Sequence, residues 1–254
     1  MPQGKGIRVP LSPGRKLVIE MLEHARRVPS VPVARTMDVA LVREAREQVA
    51  TPPSWTAIFL RAYALVAGEC RGLRRALIPW PTPHLYEHPC SIGALVVERH
   101  IDGEPILLAA KVRSPEHMPL EVIDQHLRRF KQAPVETISA FRQLLRMGKL
   151  PGWIRRFTFW HSLYLSGRIR AKRFGTFMVS SYGSLGAEQM HPLTPLTTLV
   201  TFGPIAADGE VIVKIVYDHR VLDGRYVASC LNELDRVLNT DILAELRLKR
   251  LQAA

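Results

Sequence analysis

The sequence predicts one domain of the α+β class. Segments whose apolar residues recur at helical spacing alternate with short apolar runs that are typical of strands. No internal repeat and no Pro- or Gly-rich linker interrupts this succession. With 254 residues, 47% of them hydrophobic, the chain is also long enough to bury a substantial core. We therefore expect residues 1–254 to fold as one unit.

Helices are predicted where apolar residues fall on one face of a helical repeat. The predicted helices are residues 10–25, 38–49, 54–67, 120–131, 135–147 and 225–239. The predicted strands are the apolar runs at residues 31–39, 91–98, 105–112, 175–180, 197–202 and 211–217. Asp102-Gly103 favours a hairpin turn between the second and third of these strands. Residues 71–90 contain four prolines and are predicted to be irregular.

The net charge of +12 is concentrated in one part of the chain. Residues 128–173 contain twelve Lys or Arg and a single acid, Glu136, so that the rest of the chain is close to neutral. A nucleic-acid binder is typically basic over a broad surface, and this distribution instead favours a globular protein with one basic segment. We therefore expect no nucleic-acid partner.

Cysteine usage and the N-terminal sequence predict a cytoplasmic protein. Cys70, Cys90 and Cys230 are far apart and form no C-x-x-C pair, so neither a disulfide framework nor a zinc ribbon is indicated. The N-terminal sequence contains no apolar core of a signal peptide. His84 and His88 have the spacing of metal ligands on a helix, but the nearby prolines predict a loop, and we expect no metal.

The stretch IVYDHRVLDGR, residues 215–225, contains the candidate catalytic residue. His219 follows an apolar run directly, and Asp223-Gly224 opens the last predicted helix. Imidazole has a reference pKa of about 6.5, so His219 is able to take a proton from an acceptor group near neutral pH. The same pattern also fits a histidine at a strand end and an aspartate that caps a helix. The residues alone leave both interpretations open.

Three segments carry a resemblance to a known family. The octapeptide YDHRVLDG, followed by an amphipathic helix, resembles the C-terminal signature of the dihydrolipoamide acyltransferase core of 2-oxo acid dehydrogenase complexes. Residues 9–46 and the stretch GTFMVSSYGSLG, residues 175–186, resemble the family's opening elements and a central strand with its turn. Chloramphenicol acetyltransferase is similar as a distant relative. The resemblance implies a chloramphenicol acetyltransferase-like mixed β-sheet flanked by helices, in homotrimers with active sites between subunits.

The resemblance also implies an acyltransferase that moves an acyl group from acyl-CoA, or another acyl thioester, to a thiol, amine or hydroxyl acceptor. His219 is then the general base, and Ser180 matches the family's Ser/Thr that donates to the oxyanion of the tetrahedral intermediate. The alternative for Ser180 is a strand hydroxyl bonded to a neighbouring carbonyl. In the family an arginine of the first helix holds the aspartate that corresponds to Asp223, and Arg15 matches that arginine by position. The alternative for Arg15 is a solvated charge at a helix start.

Departures from the family pattern concern the substrate and the partners. No lipoyl domain precedes the matching segments, so we expect coenzyme A thioesters as substrates and no covalently attached lipoyl group. Met178, Tyr182 and the turn PLTPLT differ from the residues that are usual in the family. Two other classes of function stay open: a catalytically silent oligomeric scaffold, and a binding protein that docks an acidic partner.

Residues 141–173, called the basic segment below, are more basic than the family pattern implies. They include nine Lys or Arg and no Asp or Glu. The interleaved aromatic residues are Trp153, Phe157, Phe159, Trp160 and Tyr164. We predict that the segment is a docking surface rather than core, for an acidic acyl carrier protein or for an anionic membrane surface such as the inner membrane face. The alternative is a helix whose aromatic residues pack inward while its arginines face solvent.

Overall fold

A six-stranded mixed sheet with helices on both sides confirms the predicted fold class. The structure, a computed structural model, describes residues 6–101 and 104–253. The strands are β1 (Ser30–Asp38), β2 (Arg75–Ile78), β3 (His84–Glu87), β4 (Ile92–Ile101), β5 (Glu104–Arg113), β6 (Phe177–Ser180), β7 (Thr198–Phe202) and β8 (Glu210–Asp218). The large sheet has the order β1-β8-β7-β6-β4-β5, and β2 pairs with β3 in a separate two-stranded sheet.

The direction of β6 determines which residues meet at each end of the large sheet. β6 is parallel to both of its neighbours, β4 and β7, and the other pairs are antiparallel. The register aligns Ser180 with Thr201, and Thr201 with Lys214 of β8. All six predicted strands are present, with small shifts at their ends. The predicted turn at Asp102-Gly103 lies outside the described residues.

Nine α-helices cover the sheet in the part of the chain that the structure describes. They are α1 (Pro13–Ala25), α2 (Ala40–Glu47), α3 (Trp55–Glu69), α4 (Leu120–Gln132), α5 (Ser139–Lys149), α6 (Gly152–Tyr164), α7 (Gly167–Phe174), α8 (Gly224–Val237) and α9 (Leu243–Ala253). A π-helical turn, Leu238–Ile242, joins α8 to α9. Ser12 and Ser54 cap α1 and α3 by accepting a backbone N–H of the first turn. Within the described ranges, no helix is both long and apolar enough to cross a bilayer.

The two faces of the large sheet are buried to different extents. Alternate residues of a strand point to opposite faces. On one face, Ile215 of β8 belongs to the main core, which also contains the buried sides of α3 and α8. On the other face, Val216 packs with Met178 in a much smaller cluster. A third cluster joins α1 to α6; its buried members are Leu17, Phe159 and Leu163.

The prediction of irregular structure for residues 71–90 is wrong in part. β2 and β3 pair over four residues each, and the prolines lie in the connection and after β3 rather than among the paired residues. Proline has no N–H to donate to a strand ladder, so this placement leaves the pairing intact. His84 is therefore the first residue of a strand and not part of a loop. His88 follows the strand and is buried.

Candidate active site

His219 lies in the turn that joins β8 to α8. β8 ends at Asp218 and α8 begins at Gly224, so the motif occupies one strand-to-helix connection. The backbone N–H of His219 donates to the carbonyl oxygen of Pro29 at 3.1 Å, just before β1. Half of the side-chain surface of His219, 50%, is exposed. The backbone of this histidine is thus fixed by a neighbouring segment while its imidazole stays accessible.

A buried carboxylate organises the turn on both sides of the histidine. Asp218 is 2% exposed and accepts two parallel hydrogen bonds from the Arg220 guanidinium, Nε to Oδ1 at 2.9 Å and Nη2 to Oδ2 at 2.7 Å. The backbone N–H of Arg220 also donates to Oδ1, at 3.0 Å. A planar guanidinium matches a carboxylate in one orientation, so a bidentate pair restricts both side chains. The residues before and after His219 are therefore tied to each other.

A second arginine lies near this pair. Arg170 of α7 is 5% exposed and donates to the carbonyl oxygens of Leu77, at 3.0 Å, and Pro195, at 2.7 Å. Burial lowers the pKa of Arg170 to about 10, and the charge of Asp218 opposes this effect. Arg170 and Arg220 line one small cavity together with His24, Arg27 and Tyr164. The end of the sheet that carries His219 is therefore rich in positive charge.

Asp223 lies beside His219 without a hydrogen bond between them. Nδ1 of His219 is 4.0 Å from Oδ1 of Asp223, which is beyond hydrogen-bond length. The Asp223 side chain is exposed and forms no capping hydrogen bond to α8, so the interpretation of this aspartate as a side-chain cap is not supported. At Gly224, a Cβ atom would come within 3.2 Å of the Tyr217 hydroxyl oxygen. Glycine at this position leaves room for the tyrosine beneath the turn.

Ser180 lies at the opposite end of the strands from His219. The register aligns Ser180 with Lys214, which precedes His219 by five residues on β8. At about 3.3 Å per residue and about 4.8 Å between strands, the two positions are roughly 16 Å apart along the strands and roughly 10 Å apart across them. One reacting carbonyl cannot touch both side chains at this separation. The structure therefore does not bring His219 and Ser180 together within one chain.

The hydroxyl groups of two adjacent serines have different partners. Ser181 Oγ donates to the carbonyl oxygen of Phe202 at 2.8 Å and accepts the N–H of Gly183 at 3.0 Å. Ser180 is half-buried at the end of β6, and its hydroxyl has no hydrogen-bond partner among the described residues. The alternative of a hydroxyl bonded to a neighbouring carbonyl therefore describes Ser181 rather than Ser180.

Arg15 is not near Asp223 within one chain. It lies in the first turn of α1, where Gly14 packs so closely on β5 that a Cβ atom would be 2.2 Å from Cγ2 of Ile106. Three strands separate β5 from β8 in the sheet. Arg15 is exposed, and it forms no ion pair with any residue that the structure describes. At the histidine turn, the contact between an acid and an arginine is made instead by Asp218 and Arg220.

Asp218, Arg220 and Arg170 are therefore site residues that the sequence interpretation does not include. For the first two the signal is local, because an acid and an arginine flank His219 directly in the sequence DHR. For Arg170 the sequence offers no signal, since its partners lie far away along the chain. Over residues 6–101 and 104–253, no group of three or more His, Cys, Asp or Glu side chains is arranged to hold a metal ion.

The basic segment is partly core, which corrects the prediction that the whole segment is a docking surface. Its buried members are Phe141, Gly148, Phe159, Ser162, Leu163, Gly167, Arg170 and Ala171. Phe159 and Leu163 pack against Leu17 because one stripe of α6 faces α1. Trp153 and Phe157 lie on the opposite side of α6 and are exposed. Only the outer side of the segment is thus available to a partner.

Solved structures of two kinds of acetyltransferase are similar to the chain, although no protein-family model and no curated protein sequence matches it. The dihydrolipoamide acetyltransferase of Azotobacter vinelandii has a TM-score of 0.67 and 18% identity, over 96% of this chain and 95% of that chain. The cubic core of a pyruvate dehydrogenase multienzyme complex has a TM-score of 0.61 and 17% identity, over 96% and 95%. A chloramphenicol acetyltransferase has a TM-score of 0.51 and 12% identity, over 90% and 96%. The predicted resemblance is confirmed at the level of fold, and the chain has the chloramphenicol acetyltransferase-like fold that these proteins share.

Proposed function

We propose that the protein is an acyltransferase that moves an acyl group from acyl-CoA, or another acyl thioester, to a thiol, amine or hydroxyl acceptor. The observation that carries this proposal is an accessible imidazole, His219, held in the strand-to-helix turn of an acetyltransferase fold. In the similar Azotobacter vinelandii enzyme, a serine, a histidine and an asparagine four residues after that histidine were investigated for their role in catalysis. His219 and Asp223 have the same spacing, with a carboxylate in place of the amide.

In the proposed reaction, His219 takes the proton of the acceptor while the acceptor attacks the thioester carbonyl carbon. The carbonyl oxygen becomes an oxyanion that accepts a hydrogen bond from the Ser180 hydroxyl. Collapse of the tetrahedral intermediate breaks the carbon–sulfur bond, and the imidazolium returns its proton to the departing thiolate. The histidine is neutral again after each turnover.

We propose that each active site is shared between neighbouring subunits of a homotrimer. The separation of His219 and Ser180 within one chain supports this arrangement, because a single carbonyl then has to receive the two groups from different copies. The exposed apolar side chains of the turn after Ser180 also support a subunit contact there; they are Tyr182, Leu185 and Met190. One of the similar structures is itself the core of an assembly.

The choice of acyl-CoA as donor is supported by the charge around the histidine turn. Arg27, Arg170 and Arg220 together outnumber the one acid beside them, Asp218, and this excess of positive charge attracts anionic substrates. Coenzyme A carries phosphate groups and supplies its thioester without a lipoyl group on the protein. We also propose a cytoplasmic location, where acyl-CoA is available as a donor.

Thiol release measured over a panel of acyl-CoA donors and small acceptors tests the reaction class. We expect release that depends on both donor and acceptor and that is lost in His219→Ala. If no donor and acceptor pair gives release above the buffer rate, the alternative of a catalytically silent scaffold replaces the proposal.

Mixing two inactive variants tests the shared site. His219→Ala and Ser180→Ala, mixed under conditions that exchange subunits, should regain part of the activity, because some interfaces then pair an intact His219 with an intact Ser180. The same variants mixed without exchange are the matched control and should stay inactive. An active monomer, measured by light scattering during turnover, would contradict the shared site.

A further inference from the structure

The outer side of α6 exposes aromatic side chains in a row. Trp153 is 74% exposed and Phe157 is 61% exposed, and the half-buried Trp160 stacks with Phe157 at a ring-centroid distance of 6.3 Å. Positions four and seven residues apart lie on one face of a helix, so these rings form a continuous stripe. Large aromatic side chains are seldom left in water as a group. The stripe therefore needs a partner that the chain itself does not provide.

The exposed side of α1 extends this stripe. Ile19 of α1 lines one shallow groove together with Phe157 and Trp160, and Leu22 is exposed one helical turn further along α1. The outer patch is defined here as Ile19, Leu22, Trp153, Phe157 and Trp160. It spans two adjacent helices, which makes it broader than the face of a single helix. A contiguous apolar patch of this kind marks an interaction site.

The charges around the outer patch identify the kind of partner. The two acids on this side, Glu20 and Glu23, are each paired with an arginine, Arg156 and Arg26 respectively. Arg27 and Arg156 line the same groove as Phe157 and Trp160, and Lys149 and Arg155 lie within four residues of Trp153 in the sequence, so cations outnumber acids beside the patch. Self-association through this side would bring two cationic surfaces together, which disfavours a second copy as the occupant. The patch therefore combines apolar side chains with an excess of positive charge, which is complementary to a partner that offers apolar contact and negative charge.

We propose that the outer patch docks on the surface of an anionic lipid bilayer. In this arrangement α6 lies in the plane of the interface, its tryptophans and phenylalanine at the level of the headgroups and the cations against the lipid phosphates. A bilayer accepts an aromatic stripe without a shaped cavity, whereas a protein partner needs pockets that match each ring. The inference does not depend on the proposed acyl transfer, because none of the patch residues belongs to the candidate active site.

Vesicle binding tests this inference directly. The wild-type protein should sediment with vesicles of phosphatidylcholine containing phosphatidylglycerol, and not with phosphatidylcholine alone, and its tryptophan fluorescence should shift to shorter wavelength. Binding should weaken as salt is raised, because salt screens exposed charges. The double variant Trp153→Ala, Phe157→Ala should bind the vesicles at least about tenfold more weakly than the wild type does, because each substitution removes apolar area that is buried at the interface. The matched control is Leu248→Ala, Leu251→Ala, which removes two exposed leucines of α9 and should bind as wild type does.

The possible outcomes separate the occupants. Equal vesicle binding by wild type and by the double variant would overturn the proposal, provided circular dichroism shows that both are folded. A change of oligomeric state in the double variant, without vesicle binding by the wild type, would assign the patch to contact between copies. Binding of an acidic acyl carrier protein, but not of anionic vesicles, would assign it to a protein partner. Thiol release with soluble substrates should be unchanged in the double variant, which separates failure of docking from failure of acyl transfer.

Discussion

The two ends of the central strands hold their functional residues in different ways. At the end that carries His219, two interactions fix the turn. They are the bidentate pair of the buried Asp218 with Arg220 and the hydrogen bond from the backbone N–H of His219 to the carbonyl oxygen of Pro29. At the end that carries Ser180, the chain continues into a turn whose apolar side chains are exposed. The difference matches the chemistry proposed for each end. In the proposed reaction the imidazole needs a fixed orientation from its own chain, whereas the Ser180 hydroxyl would act together with the histidine of a neighbouring subunit.

Of the substitutions considered, replacement of His219 should have the largest effect on the rate of acyl transfer. The effect should involve only the end of the sheet that carries the histidine. We expect His219→Ala to slow acyl transfer by roughly 10²–10⁴-fold, because it removes the general base. The thermal midpoint should be nearly unchanged, since the side chain is half exposed and fills no core space. Steady-state kinetics and a thermal melt check both parts. His126→Ala, at an exposed histidine of α4, is the matched control, and full activity of His219→Ala would contradict the mechanism.

Loss of the Ser180 hydroxyl should act on the transition state. We expect Ser180→Ala to lose about 2.7–4 kcal/mol of transition-state stabilisation, seen as a lower kcat with little change in KM. The fold should be intact, because this hydroxyl makes no hydrogen bond in the described part of the chain. Ser181→Ala is the contrasting variant: it loses two hydrogen bonds and should lower stability instead, by about 1 kcal/mol. A rise in KM alone for Ser180→Ala would make Ser180 a substrate-positioning residue.

Neutralising Asp218 should damage the fixed end. Asp218→Asn leaves Arg220 without its carboxylate, and it removes the negative charge that opposes the effect of burial on Arg170. Removing one partner of a buried pair costs about 3–5 kcal/mol, and because Arg220 is partly exposed we expect a loss of about 2 kcal/mol in the free energy of unfolding. Denaturant titration measures it. Glu23→Gln, which removes an exposed pair with Arg26, is the control and should be nearly neutral.

If Asp218→Asn keeps its stability but loses kcat, the carboxylate serves only to position His219. If both quantities are unchanged, the fixed turn does not depend on this pair, and the contrast between the two ends loses its main support.

Acid should destabilise the fixed end through His88. Burial, and then the charges of Arg170 and Arg74, lower the pKa of His88 to about 4. In the unfolded state the histidine has a pKa of about 6.5. At pH values between the two pKa values, the unfolded state therefore binds more protons than the native state does, and the free energy of unfolding decreases as the pH falls through this window. We expect a loss of about 1–2 kcal/mol between pH 7 and pH 5. His88→Gln should show a shallower pH dependence, though not a flat one, because burial also lowers the pKa of His24. An equally steep dependence in His88→Gln would assign the acid sensitivity elsewhere.

The periodicity of apolar residues predicts most of the strands and helices, because within each of them the apolar residues recur at the spacing that places them on the buried face. The hairpin of β2 and β3 is not predicted, since each strand has only four residues and the prolines between them dominate the local pattern. The helical patterns likewise do not distinguish α9, which continues from α8 through a π-helical turn. Length alone does not decide the outcome, because the four residues of β6 are predicted as a strand while the 13-residue helix α6 is not among the predicted helices.

The candidate site is predicted less completely, because its geometry depends on strand directions. The motifs identify His219 and Ser180, but their placement at opposite ends follows from β6 and β7 being parallel while β8 is antiparallel. The sequence also does not show which stripe of α6 faces α1. Arg170 illustrates the same limit: in the sequence it is one of nine cations, and in the fold it is a buried donor between strand β2 and the loop that precedes β7.

The hydrogen bonds of Arg170 restrict how the basic segment can diverge. A descendant that lost α7 would leave the carbonyl oxygens of Leu77 and Pro195 without their donor, at about 1–3 kcal/mol for each buried group left unsatisfied. Natural domains have only about 5–15 kcal/mol of net stability, so such a deletion consumes a large fraction of it. The contacts of the inner side of the segment therefore make its loss costly to stability, whereas substitutions on the outer side do not break these hydrogen bonds. Substitutions on the outer side can therefore change the proposed docking surface while the contacts of the inner side keep the segment in place.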